Sequence, residues 1–293
     1  MDETSYHGKV EKGNPIPALG YGKVIKGNDA FKEGSKVQGM LQAGTYTQID
    51  EPAKMGLMAK MSLPRTDPNS SLGMLGISGI AAYVGMFVSP SRGGPKKGET
   101  VVVSAAAGAV GCIAAQMAKL SGARVIGVAG GPKKQNYLLK ELKLDGAVDY
   151  KCTQKSLGKQ LDETCPDGID FFFDNVGGEV LDEVLQRINL HSQIVICGAA
   201  SHYDSGSINN KGTISGPSHY VRLAETSSTL SGYNMMHYSK SFPKALLYLL
   251  YHYYRGNIAC PEHVEDGIES FGGSLEKLFS GGHIGRLIVN VAK

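Results

Sequence analysis

From residue 100 to residue 200 the chain repeats one cadence: a short run of consecutive apolar residues, a turn, then an apolar pattern at helical spacing. Unbroken apolar runs are what strands buried on both faces require, and the longer periodic stretches between them are helical. The spacing predicts strands over 101–104, 124–128, 147–150, 169–174 and 193–198. Helices are expected over 110–121, 133–142, 157–165 and 178–188, between most of those strands. Strands alternating with helices in this rhythm build an α/β fold with a Rossmann-like, doubly wound parallel sheet. A sixth strand is expected over 229–235, a helix over 242–254 and a terminal strand over 286–291.

The first part of the chain follows a different pattern. From Gly20 to Tyr46 short β-like pieces alternate with glycine and charged turns, the mark of irregular, hairpin-rich β structure. Residues 64–69 read as a polar loop, and 72–86 as a buried helix whose glycines permit close packing.

One junction in the repeat carries chemistry. Val101-Val-Val-Ser104 runs into Ala105-Ala-Ala-Gly108-Ala-Val-Gly111, and a helical pattern follows. A strand, a tight turn of small residues and a helix start lay a pyrophosphate on a helix N-terminus. Bulkier side chains would hold the backbone away from phosphate oxygens, so Ala107, Gly108, Ala109, Val110 and Gly111 are the candidate cradle. The end of the next strand selects the nucleotide. A carboxylate there would hold the ribose 2′-hydroxyl of NAD, but this chain has Ala129-Gly130-Gly-Pro-Lys133-Lys134. Ammonium groups without a carboxylate favour the 2′-phosphate of NADP(H). Lys133 is better read as a solvated residue opening a helix, which leaves Lys134 for the phosphate. Asn175 in Phe173-Asp-Asn175-Val-Gly-Gly178, and Cys197-Gly198 one strand later, stand at strand ends that line a cofactor crevice. Plain βα turns are the alternative for both.

Composition narrows the classes. The chain has 293 residues, 42% of them hydrophobic and 19% charged, enough for real cores and inconsistent with a disordered sequence. A net charge of +3 from scattered basic residues gives no reason to expect nucleic acid. The five cysteines Cys112, Cys152, Cys165, Cys197 and Cys260 are dispersed, with no CxxC pair and no metal-ligand cluster, so free thiols and a cytoplasmic location are expected. No apolar run suits a signal peptide or a membrane span. No Gly-x-Ser-x-Gly elbow sits at a strand–helix junction, and the Gly-His-Glu signature and four-cysteine lobe of zinc alcohol dehydrogenases are absent, so no metal is expected.

Leu75-Gly-Ile-Ser-Gly79 with Ala82-Tyr83, the 105–111 turn, the 173–179 segment, Ile196-Cys-Gly198 with Tyr203, and Ile284-Gly-Arg-Leu-Ile-Val289 together resemble the zinc-independent medium-chain dehydrogenase/reductases. Within them the likeness is to the NADPH-dependent alkenal/one oxidoreductases of the prostaglandin reductase, leukotriene dehydrogenase and curcumin reductase type. It runs from about Gly20 to the C-terminus. The resemblance implies reduction of the C=C bond of α,β-unsaturated aldehydes and ketones, with a small apolar enal or enone as substrate. By position it also implies that Lys134 meets the 2′-phosphate, with Tyr150 beside it. Asn175 and Cys197-Gly198 would border the nicotinamide half, and Tyr203 would lie in a loop over the cofactor. Tyr238 would stand over the substrate carbonyl, where a neutral phenol can donate to an oxygen gaining charge. A half-buried packing tyrosine is its alternative. His283 stands where the family carries asparagine, in His283-Ile-Gly-Arg286.

The family pattern further implies a Rossmann-like NADP(H)-binding domain over 76–252 and a smaller β-rich catalytic domain from 1–75 with 253–293, and a homodimer. A typical member carries roughly 45 residues ahead of the position matching Met1. That catalytic domain is therefore expected to be N-terminally incomplete and short of part of the pocket wall. Two further readings follow: an NADPH:quinone reductase with the same cofactor and fold, or an NADPH-binding protein with little catalysis.

Overall fold

A computed structural model describes residues 13–50, 58–59, 65–202 and 216–291. The first strands, β1 (Pro17–Lys23) and β2 (Lys36–Gln42), form an antiparallel hairpin with Pro17 opposite Gln42. Strand β3 (Met58–Ala59) adds to the other edge of β2. Helix α1 (Ile77–Tyr83) follows and widens into a π-helical turn over Val84–Val88.

Then the alternation begins: β4 (Thr100–Ser104), α2 (Ala109–Leu120), β5 (Arg124–Val128), α3 (Pro132–Asn136) and β6 (Gly146–Val148). It continues through α4 (Leu157–Thr164), β7 (Ile169–Asp174), α5 (Gly178–Leu185), β8 (Ile188–Ile196), α6 (Val221–Glu225) and β9 (Thr229–Gly232). Helix α7 (Phe242–Tyr254), β10 (Glu262–Asp266), α8 (Phe271–Ser280) and β11 (Arg286–Asn290) complete the chain.

Strands β4 to β9 form one six-stranded sheet in the order β6-β5-β4-β7-β8-β9, every neighbour parallel. The strands carry apolar side chains on both faces because both faces are covered. Val102, Ile126, Phe172 and Ile194 point into a core with Leu157, Leu161, Val180 and Val184 from α4 and α5. Val101, Val103, Val125, Phe171, Phe173 and Val195 point the other way, onto Tyr83, Ile113, Met117 and Leu249 from α1, α2 and α7. Each fully buried phenylalanine contributes roughly 1.5–3 kcal/mol of transfer free energy.

Several boundaries depart from the sequence reading. The helix expected over 72–86 begins only at Ile77, since Ser70, Gly73 and Gly76 are joined by turn hydrogen bonds. Gly79 makes that approach possible: a Cβ there would lie 1.8 Å from the Met74 carbonyl oxygen. The helix expected over 133–142 stops at Asn136 and relaxes into a π-helical turn over Tyr137–Glu141, which buries Tyr137 and Leu138. The strand expected over 147–150 ends at Val148, and that expected over 229–235 ends at Gly232. Strand β8 begins five residues before the expected 193, so the helix expected to reach 188 ends at Leu185. Strand β10 has no counterpart in the reading. Its sequence Glu-His-Val-Glu-Asp is mostly charged, and only its parallel pairing with β11 makes it a strand.

Candidate functional site

The strand order reverses at β4, whose neighbours are β5 on one side and β7 on the other. Crevices at the carboxyl ends of strands open at such a switch point. The turn leaving β4 starts with Ala105 in the left-handed region at φ 47°, a conformation a non-glycine residue adopts only when its surroundings enforce it. The Ala106 N–H donates to the Val128 carbonyl (3.0 Å) and the Gly108 N–H to the Ala105 carbonyl (2.8 Å), which folds the turn against β5. Gly111 lets α2 start directly over it, because a Cβ there would lie 2.2 Å from the Ala105 oxygen. Gly108 caps α2 without any side-chain hydrogen bond, so the first N–H groups of the helix are left for an anion. The C-terminal segment closes on this turn: the Gly285 N–H donates to the Ala107 carbonyl at 2.8 Å, and the Arg286 N–H to the Pro261 carbonyl at 2.8 Å.

Next along the rim, beyond β5, a cationic pocket forms. The Gly130 backbone passes under Tyr150 and Lys151, since a Cβ on it would come within 2.8 Å of the Tyr150 ring. Asp149 holds both chains in place by accepting from the Gly131 N–H (2.8 Å) and the Lys151 N–H (2.9 Å). Lys134 is half-buried, whereas Lys133 is exposed. Lys134 Nζ approaches Gly281, the left-handed cap of α8, and Lys151 Nζ donates to the Ser280 carbonyl at 3.4 Å. Burial first, and the nearby Lys151 second, push the Lys134 ammonium below its usual range. His283 joins the same pocket, with Nδ1 3.4 Å from the Lys277 carbonyl oxygen. Its imidazolium is disfavoured by burial and then by Lys134, His263 and Arg286. Lys134 and Lys151, like charges drawn together at this rim, favour an anion between them.

On the other side of β4, Ser104, Asp174 and Asn175 lock the strand ends together. Ser104 Oγ donates to Asp174 Oδ1 (2.8 Å) and accepts from the Asn175 N–H (2.7 Å). Asn175 Nδ2 donates to the Ser104 carbonyl at 2.7 Å. Asp174 is fully buried and also accepts from the Val176 and Gly177 N–H groups (2.9 and 3.0 Å). Burial raises its carboxyl above the ordinary range, and these hydrogen bonds oppose the shift. The Cys197 and Gly198 N–H groups both donate to the Asp174 carbonyl, at 2.7 and 3.2 Å, so Asn175 and Cys197-Gly198 border one wall. The Cys197 thiol is pushed up to about 11 by burial, and accepts from the Tyr233 hydroxyl at 3.1 Å.

The structure thus brings the 107–111 turn, Gly130, Lys134, Tyr150, Asn175, Cys197, Gly198 and His283 to one rim of the sheet. Tyr238 lies six positions past β9, half-buried, where a non-helical φ of −111° interrupts the turn over Met235–Ser241. Tyr203 lies outside the described residues. Ser104, Asp174, Lys151 and Gly285 escaped the sequence reading. Their signals were a serine and an aspartate ending apolar strands, a lysine after Tyr150 and a glycine between Ile284 and Arg286. Among the described residues no group of three or more His, Cys, Asp or Glu is placed to hold a metal ion.

Comparison with known proteins places the chain. Residues 109–250 match the family described as zinc-binding dehydrogenase. The chain is 34% identical to the NADP(+)-dependent 2-alkenal reductase of Nicotiana tabacum, over 99% of this chain and 81% of that protein. It is 34% identical to prostaglandin reductase 1 of Mus musculus, over 96% and 83%. The crystal structure of CurA from Vibrio vulnificus in complex with NADPH superposes with a TM-score of 0.86 at 27% identity, covering 100% of this chain and 85% of that one. On these likenesses, and on the sheet and crevice they share, the chain belongs to the medium-chain dehydrogenase/reductase family of NADP-dependent oxidoreductases.

Proposed function

We propose that the protein uses NADPH to reduce the C=C bond of α,β-unsaturated aldehydes and ketones. The observation that carries this is the alignment, on one rim, of a bare helix N-terminus for the pyrophosphate and a lysine-lined pocket for the 2′-phosphate. The two subsites lie on either side of β5, as an extended dinucleotide requires. Bound NADPH supplies a hydride to the β-carbon of the substrate. The residues of this chain do the rest. The 107–111 turn and Lys134, with Lys151 and Tyr150 beside it, hold the phosphates. His283 closes the pocket from the C-terminal side. Asn175 and Cys197-Gly198 orient the nicotinamide half, on a wall that Asp174 and Ser104 keep rigid. Tyr238 donates a hydrogen bond from its phenol to the carbonyl oxygen as that oxygen becomes an enolate, and the α-carbon then takes a proton from solvent. The apolar substrate occupies the cleft between the 76–252 domain and the smaller domain of 1–75 with 253–293.

Following NADPH oxidation at 340 nm over 2-alkenals, enones and simple quinones tests this. The expected result is turnover of enals and enones well above quinones. Faster turnover of quinones would make the protein a quinone reductase, and NADPH binding without turnover a cofactor-binding protein. We further propose a homodimer joined along β9, one of the two edge strands of the sheet, where Leu230 is exposed. Sedimentation as a monomer at working concentration would refute it. The five free thiols support a reducing, cytoplasmic setting.

A further inference from the structure

We propose that Cys260 and Cys112 form a redox-active dithiol that hydroperoxides close to a disulfide and thiol reductants reopen. This does not depend on the reductase reading, although both thiols lean on the carbonyl of Ala109 in the 107–111 turn. The two cysteines are distant in sequence, yet the Ala109 carbonyl oxygen lies 3.5 Å from Cys112 Sγ and 3.7 Å from Cys260 Sγ. Cys112 is fully buried in the first turns of α2, and Cys260 packs on the core that contains it. A second contact fixes the loop that carries Cys260: Gln116 Nε2 donates to the Ala259 carbonyl (2.7 Å) while Gln116 Oε1 accepts from the Ala259 N–H (3.0 Å).

Access and reactivity differ between the two thiols, as an attacking and a resolving cysteine require. Cys260 lines a cleft of about 510 Å³ that opens beside the C-terminal half of α2, with Gln116, Lys119, Tyr137 and Glu141 around it. The two sulfurs themselves sit against the first turn of that helix, directly behind the 107–111 turn. A hydrogen bond from Cys112 holds the Cys260 thiol below its usual range, with help from Arg286, against burial and Glu262. Cys112, engaged with Cys260 and buried, is held well above it. Cys165 and Cys197 are both raised by burial, which makes them poor nucleophiles.

The Cys260 thiolate attacks one oxygen of the hydroperoxide, the O–O bond breaks, and hydroxide or alkoxide departs. Cys260 becomes a sulfenic acid. The Cys112 sulfur then attacks the Cys260 sulfur, the S–O bond breaks, and water leaves with the Cys112 proton. Two thiols are oxidised by one peroxide, and a thiol reductant reverses the bond.

The test uses the whole protein, treated with one equivalent of hydrogen peroxide and alkylated before digestion. The expected result is a loss of about 2 Da, disappearance of two of the five free thiols, and a peptide joining 112 to 260 that dithiothreitol releases. C112S should stop at a Cys260 sulfenic acid trapped by dimedone, and C260S should yield neither product. The inference fails if wild-type protein carries a dimedone-trapped Cys260 while Cys112 stays free, or if oxidation falls on other cysteines. The peptide map on the unmutated chain decides the matter even where a variant folds poorly.

Discussion

The proposed function gives Lys134 the work of binding and Tyr238 the work of reaction, and variants of the two separate these roles. Lys134 is half-buried and pushed below its usual range by burial and by Lys151, a state that an incoming phosphate relieves. A charge-assisted contact of this kind contributes about 1.5–3 kcal/mol. Lys134→Ala is therefore expected to raise KM for NADPH roughly 10- to 100-fold, hold kcat within about twofold, and remove the preference over NADH. Steady-state kinetics with both nucleotides check this, and an unchanged preference would move the 2′-phosphate elsewhere. Tyr238 should behave in the opposite way. Under the proposed function Tyr238→Phe removes the donor to an oxygen whose charge develops only during reaction, so kcat should fall roughly 10²–10³-fold while NADPH affinity stays the same. Tyr233 offers the control: its hydroxyl is shared between the Ala81 carbonyl at 2.7 Å and the Cys197 sulfur at 3.1 Å. Tyr233→Phe should cost stability, about 1 kcal/mol by denaturant titration, and leave turnover near the parent value. If Tyr233 and Tyr238 exchange these phenotypes, the oxyanion donor is misassigned.

The elements that the sequence pattern foretold are those whose own residues determine them. Strands β4, β5 and β7 are continuous apolar runs buried on both faces, so nothing else could cover them. The glycines around β4 were equally readable, because Gly111 answers a local demand for space. Gly111→Ala drives a methyl group to 2.2 Å from the Ala105 oxygen, backbone against backbone. It is expected to cost about 1–3 kcal/mol and to weaken NADPH binding at least tenfold, by denaturation and by fluorescence titration respectively. Elements that depend on distant partners stayed hidden. Strand β10 is polar and exists through β11, and the helix expected over 133–142 is helical to Glu141 but widens into a π turn where Tyr137 and Leu138 are buried. Asp174 belongs to the same class: nothing in Phe173-Asp174-Asn175 announces that its carboxyl ties β4 to β7 through Ser104. Asp174→Ala leaves the Ser104 hydroxyl and the Val176 and Gly177 N–H groups without their acceptor. A loss of about 3 kcal/mol or more is expected in urea unfolding, whereas a loss under about 1 kcal/mol would mean that water replaces the carboxylate.

Across the whole molecule, the C-terminal segment and the nucleotide-binding sheet are coupled through His283. It hangs from the segment that joins Gly285 to Ala107, and it faces Lys134 and Arg286 with His263 nearby. Folding disfavours its imidazolium, so the folded chain binds that proton less readily than the unfolded chain does. The contribution to stability is therefore complete above the ordinary histidine range, near pH 6.5, and is lost as pH falls through the lowered folded value. A 2′-phosphate placed among these cations reverses the balance, since its negative charge stabilises the protonated ring. Binding of NADPH and protonation of His283 then assist each other, as linkage demands. The rise in unfolding temperature conferred by saturating NADPH should thus be larger at pH 6 than at pH 8. His283→Asn keeps a hydrogen-bonding side chain but cannot titrate, so its NADPH-induced rise should vary less between the two pH values. An identical pH dependence in the variant would place the coupled proton on another group of the pocket, and would leave His283 as a neutral wall of it.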